Sequence, residues 1–209
     1  SLRLLVLLAW GNVALHAVGL VFAAAGMRPG SPLVPLADRM DYLAGRPMGW
    51  SLGWGVWMLC SLLLLLYVAV LRAHLPGRPL AGDLAMALTA TGMGVDLLCD
   101  VAQIRALPLA AASGSPPLFL TLESLLFAGG ATVANGLYTV AVLILTLALG
   151  KQSGVLSQLA GWGTVVAGFA MAAAGLIPSP RLLELATGPT IAFYSLWTVL
   201  VARSLRKSS

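Results

Sequence analysis

The sequence predicts an all-α fold, a polytopic transmembrane bundle of six helices with a short interfacial helix between spans one and two. Three observations carry that prediction. Hydrophobic residues fill 59% of the 209 positions and charged residues only 9%, where soluble domains average roughly 25% charged. Mean hydropathy is +0.95, as expected of a chain whose solvent is lipid. Six apolar runs, near 4–27, 50–71, 84–107, 119–149, 155–177 and 182–205, are long enough to cross hydrocarbon and are parted by short basic or proline-bearing connectors. One helical domain over residues 1–209 accommodates them.

The formal charge of +5 does not signal nucleic acid, because the twelve Lys and Arg sit almost entirely between apolar runs and at the C-terminus. Membrane lipids are the expected surroundings, and no nucleic-acid partner is expected. Cys60 and Cys99 lie deep in apolar runs, with no CxxC pair and no disulfide framework.

Span one, 4–27, follows Arg3 and closes on Ala23, Ala24 and Ala25, as a signal peptide could. Its length of about 23 residues exceeds the 7 to 15 of a signal core, so it reads as a retained span. The chain begins at Ser1 with no initiator Met, as it would if an upstream part had been lost or processed. Asn12 and His16, four apart, share a face with Gly19. Residues 28–49 then break helix with Pro29, Pro32, Pro35 and Pro47 and carry Asp38, Arg39, Asp41 and Arg46. Leu36, Met40 and Leu43 recur at helical spacing opposite these charges, which predicts a short amphipathic helix on the membrane surface with Asp38 and Asp41 solvated.

Span two opens with Trp50, Trp54 and Trp57, which suit the headgroup boundary, and holds Gly49, Gly53 and Gly55 for close helix approach. A basic turn with Arg72, His74, Pro76, Arg78 and Pro79 follows. Asp83 then stands near the first turn of span three, where the helix dipole favours a carboxylate. Span three is the exceptional segment, since Asp96, Asp100 and Gln103, at spacings of four and three, share one face. A carboxylate in hydrocarbon costs on the order of 3 kcal/mol or more, so that face turns toward other helices or water.

A connector of small residues and prolines, 108–117, leads to span four. That span is longer than the roughly 20 residues a bilayer needs, and Gly129, Gly130 and Gly136 give it places to bend. It carries Glu123, with Tyr138 about 60° and Asn135 about 120° away around an ideal helix, so the three could border one cavity. Spans five and six complete the set and end in Arg203, Arg206 and Lys207. A faint internal echo pairs Trp10-Gly11 and Ala23-Ala24-Ala25-Gly26 with Trp162-Gly163 and Ala172-Ala173-Ala174-Gly175, the pattern of a duplicated hairpin.

Basic residues on the side of both termini (Arg3, Arg72, Arg78, Lys151, Arg203, Arg206, Lys207) outnumber those opposite (Arg28, Arg39, Arg46, Arg105, Arg181), which predicts cytoplasmic termini. In that topology His16, Asp96, Asp100, Gln103 and Glu123, with Asn12, Asn135 and Tyr138, can form one polar pocket opening toward the outer face. Carboxylates sharing a low-dielectric site cannot all ionise cheaply, which is the chemistry of a proton relay or an acid–base pair. The bland alternative is that Asp96 and Asp100 pair with neighbours and fix helix register. His74 lies at the opposite end of span two from His16, which disfavours a bis-histidine haem. A metal on His16 with these acids lacks a local signature such as HExxH, and no P-loop, dinucleotide fingerprint or Ser-His-Asp order is present.

The segments LYVAVLRAHLPGRPLAGDLAMAL, ANGLYTVAVLILTLAL and LWTVLVARSLR resemble a broad group of bacterial six-helix integral membrane proteins of unknown function. The resemblance implies a six-helix fold in a bacterial inner membrane and assigns no activity. The leading functional expectation is binding of a small ligand or cation in the polar pocket, as in a carrier or proton-coupled transporter. The alternatives are an intramembrane enzyme acting on a lipid or isoprenoid with a carboxylate pair, and a non-catalytic subunit of a larger membrane complex or homo-oligomer.

Overall fold

A computed structural model describes residues 1–75, 77–177 and 179–207, apart from the side chains of Lys151 and Lys207. Pro76 of the basic turn, and the two lysine side chains used in the charge comparison, lie outside the described residues. Helix α1 (Leu2–Phe22) continues through a π turn (Ala23–Met27) and a 3-10 turn (Arg28–Gly30). There follow α2 (Leu36–Ala44), α3 (Met48–Arg72), α4 (Pro79–Ala112), α5 (Pro116–Phe127), a π segment (Ala128–Ala134), α6 (Asn135–Leu149), α7 (Val155–Leu176) and α8 (Pro180–Lys207).

Six helical stretches are long and apolar enough to cross a membrane: Leu2–Gly30, Met48–Arg72, Pro79–Ala112, Pro116–Leu149, Val155–Leu176 and Pro180–Arg206. The expected spans are all present, each within a few residues of its predicted ends. The all-α bundle with a short helix between its first two spans therefore stands. Prolines open α4 and α5, where the missing N–H has no intrahelical role. Gly150 and Gly154, both at positive φ, make the turn from α6 into α7.

The spans close into a ring. Helix α1 packs on α3, α3 on α4, α4 on α6, α6 on α7, α7 on α8, and α8 returns to α1. Its termini-side half is filled by Leu5, Tyr67, Leu71, Leu145, Trp197 and Val201. The opposite half is filled by Met40, Leu43, Trp50, Leu107, Phe119 and Leu126. The second cluster contains residues of α2, so this helix packs into the bundle against α4 instead of only lying on the lipid surface.

Five local expectations need correction. Helix α4 runs through Pro108 to Ala112, so the connector shrinks to a tight turn; the proline removes one ladder bond only near the helix end, and the Ser113 N–H caps Leu109 O at 3.0 Å. Asp83 lies beyond the first turn of the longer α4 and pairs with Arg72 at 2.5 Å. Trp50 is no boundary anchor: it is 3% exposed, in a space left by Gly30, and its Nε1–H donates to Gln103 O at 2.8 Å. Gly49 and Gly53 do serve close approach, against Gly26 and Met27, but Gly55 faces open space. The paired Ala-Ala-Ala-Gly runs also differ locally, the first lying in a π turn and the second in α7.

Candidate functional site

The polar layer begins on α4, whose orientation decides everything around it. Leu98, two residues from each acid, is 71% exposed on the outer surface, while Asp100 is 2% exposed. One face of the helix meets lipid and the other turns inward, as the cost of an acid in hydrocarbon requires. Asp100 and Gln103 are buried, and Asp96 is partly so.

Asp96 is fully engaged on one oxygen. Ser61 Oγ, on α3, lies 2.5 Å from Asp96 Oδ2, and the Tyr138 hydroxyl, on α6, donates to the same oxygen at 3.2 Å. Tyr138 reaches it because Gly92, one turn earlier on α4, leaves room for the ring; a Cβ at Gly92 would stand 2.8 Å from it. Sequence reasoning missed Ser61, although an isolated polar residue inside the apolar run of span two was a usable signal.

Glu123 is held by a residue that the sequence reading placed on a solvated face. Arg39 Nη2 donates to Glu123 Oε2 at 2.8 Å, with the two side chains 9% and 8% exposed. Its Nη1 donates to Val34 O at 3.1 Å and Pro32 O at 3.4 Å, and the guanidinium lies 5.7 Å from the Phe119 ring centre. At 100° per residue, Arg39 belongs with Leu36, Met40 and Leu43, which turn to the core, whereas Asp38 and Asp41 are exposed as expected. The arginine thus ties α2 down onto α5.

Register brings Glu123 to the level of the α4 stripe. Gly129 faces Cys99, Gly130 faces Asp96, and Phe119 packs in one cluster with Leu107. Between those points on two antiparallel helices, Glu123 lies at a depth between Asp96 and Leu107. Asp100 Oδ2, Gln103 Oε1 and Glu123 Oε1 are each buried without a protein donor.

Three expected members of the pocket have other partners. His16 Nδ1–H donates to Asn12 O at 2.8 Å, and its ring packs against Trp57 and Tyr194, with centroids 6.0 and 5.6 Å away. Among the described residues no hydrogen bond or ion pair joins His16 to an acid. Asn12 is buried and donates to Leu8 O at 2.9 Å. Asn135 donates to Gly130 O at 2.8 Å, serving a carbonyl of the π segment. That wider turn re-phases α6 relative to α5, so angles counted on an ideal α-helix do not carry across it. Among the described residues no group of three His, Cys, Asp or Glu could hold a metal ion, so the mixed His16–acid metal site is not formed.

No family model, curated protein or solved structure matches the chain, so the resemblance to bacterial six-helix membrane proteins gains no named family. What stands is the coarser statement that the six long apolar helices make this a polytopic membrane protein.

Proposed function

We propose that this six-span protein resides in a bacterial inner membrane with both termini cytoplasmic and binds a small cation or cationic head group in its acid layer, as a carrier or proton-coupled transporter does. Asp100 carries the reading. It is buried, it stands one turn from a second carboxyl, and its Oδ2 has no protein donor, whereas Asp96 is oriented by two hydroxyls. A buried acid that only fixed helix register would be expected to have its partners supplied by the fold.

The charge balance points the same way. Among the described residues Arg39 pairs with Glu123 alone, so charge on Asp96 and Asp100 has to be met by a proton or by a bound cation. Ser61 and Tyr138 position Asp96, Arg39 holds Glu123, and Asp100 is left to take the incoming charge. Access is from the side opposite the termini, where α2 and the Arg39–Glu123 pair cover the layer.

The test is binding or uptake by the reconstituted full chain and by Asp100→Asn and Asp96→Asn. Both variants should remain folded by circular dichroism, with Asp100→Asn losing cation binding outright. Unaltered binding in a folded Asp100→Asn protein refutes the assignment.

A further inference from the structure

Trp10 and Arg203 meet on the outside of the bundle, near the termini end of the seam where α1 packs on α8. The Arg203 guanidinium carbon lies 5.8 Å from the centre of the Trp10 ring, within cation–π range. Both side chains are exposed, Trp10 at 49%. Each belongs to a lipid-facing stripe: exposed Leu7 and Val21 share the face of Trp10 on α1, and exposed Leu196 stands two turns before Arg203 on α8.

A second guanidinium stands level with the first. The Tyr194 hydroxyl donates to Asn12 Oδ1 at 3.5 Å and so sets the register of these antiparallel helices. From that contact nine residues, or ~13.5 Å of helix, lead back along α1 to Arg3 and on along α8 to Arg203. Arg3 is exposed and lies two turns from Trp10 on the same face. Among the described residues neither Arg3 nor Arg203 has a hydrogen bond or an ion pair.

We infer that this seam seats an acidic phospholipid of the termini-side leaflet, its phosphate bridged by Arg3 and Arg203 and its glycerol and upper acyl chains lying against Trp10. A guanidinium stacked on a ring keeps its N–H donors in its own plane, where they match phosphate oxygens in pairs. An indole suits the junction of headgroups and acyl chains. Two positive charges favour a headgroup of net negative charge, whereas choline or ethanolamine brings a cation of its own beside them. An acidic soluble protein fits less well, because Trp10, Leu7 and Leu196 lie inside the spans Leu2–Gly30 and Pro180–Arg206. The seat faces lipid and the acid layer faces the bundle interior, so the two can be occupied independently.

The experiment is native mass spectrometry of the full chain released from nanodiscs of equal phosphatidylglycerol and phosphatidylcholine, with near-UV circular dichroism to establish that each variant is folded. One phosphatidylglycerol should be retained in preference to phosphatidylcholine. Arg203→Gln should lower its retention ~10-fold or more, as loss of a charge-assisted hydrogen bond implies, and Arg3→Gln should lower it too. Arg203→Lys, which keeps the charge but loses the flat stack, should also weaken it. Arg28→Gln removes an exposed arginine at the other end of the bundle, paired with Glu184 at 3.6 Å, and should leave retention unchanged. Equal retention of the two lipids, or an equal fall in Arg28→Gln and Arg203→Gln, would mean that these arginines act only as net charge, and overturns the seat. Unchanged retention in folded Arg203→Gln and Arg3→Gln overturns it as well. Displacement of the lipid by inorganic phosphate alone would make this a site for a free anion and overturns the lipid assignment.

Discussion

Replacing Arg39 with Met probes the contact that holds α2 in the bundle. The change strands a buried Glu123 carboxylate and frees two loop carbonyls, because Nη2 and Nη1 serve Glu123, Val34 and Pro32 together. Removing one member of a buried ion pair costs about 3 to 5 kcal/mol. Helix α2 has only 9 residues, too few to persist alone, so the loss falls first on its docking. A docking free energy lowered by about 3 kcal/mol speeds amide exchange roughly a hundredfold. Hydrogen exchange by mass spectrometry on the nanodisc-bound protein should show that acceleration across Leu36–Ala44, with the termini-side core of α3 and α8 unaffected. Adding Glu123→Leu to the Arg39→Met protein should recover most of the protection, since no charge is then left unpaired. Exchange within threefold of wild type in the single variant, or no recovery in the double, refutes the claim that this pair anchors α2.

Ser61→Ala and Tyr138→Phe each remove one donor from Asp96 Oδ2 and should each cost about 1.5 to 3 kcal/mol in detergent unfolding. The double variant should fall short of or exceed the sum, because both donors share one oxygen; strict additivity would mean that they do not act on the same acid. A Cβ on Gly26 would stand 3.1 Å from the Gly49 backbone, so Gly26→Val should destabilise by about 1 to 3 kcal/mol, while Gly55→Ala, which meets nothing within 4 Å, should be neutral or stabilising. Equal melting shifts for the two would contradict the close contact. Tyr42, in α2, donates its hydroxyl to Gly26 O, and burial pushes its phenol above the ordinary value of 10.0. Because the unfolded phenol ionises first, this contribution is intact below about pH 10 and fades as pH rises further. Tyr42→Phe should therefore be the less stable protein at pH 8, with the gap closing above pH 10; a gap independent of pH would show that Tyr42 ionisation is not linked to folding.

What was legible in the sequence follows from period and depth. Six apolar runs give six spans, and the four-and-three spacing on α4 turns Asp100 and Gln103 inward, with Leu98 left outside. The spacing of Leu36, Met40 and Leu43 gives α2, since a helix of that period buries one side. The same period contains Arg39, but a charge flanked by Asp38 and Asp41 reads as solvated with its neighbours. Its true partner is 84 residues away, and no local pattern encodes such a pairing. Trp50 was hidden for a similar reason: its indole pairs with a backbone carbonyl of another helix, which side-chain chemistry does not reveal. The π segment was signalled only as glycine-permitted bending at Gly129 and Gly130, and it moved Asn135 away from its expected role onto Gly130. Depth alone groups His16 with the acids, and depth fixes no direction around α1.

The most direct test is a density map of the protein in a lipid bilayer, resolved to side chains. The account predicts Asp96 against Ser61 and Tyr138, Glu123 against Arg39, and added density at Asp100 Oδ2. A map with Asp100 directed at acyl chains, or with α2 lifted away from α4, would contradict it.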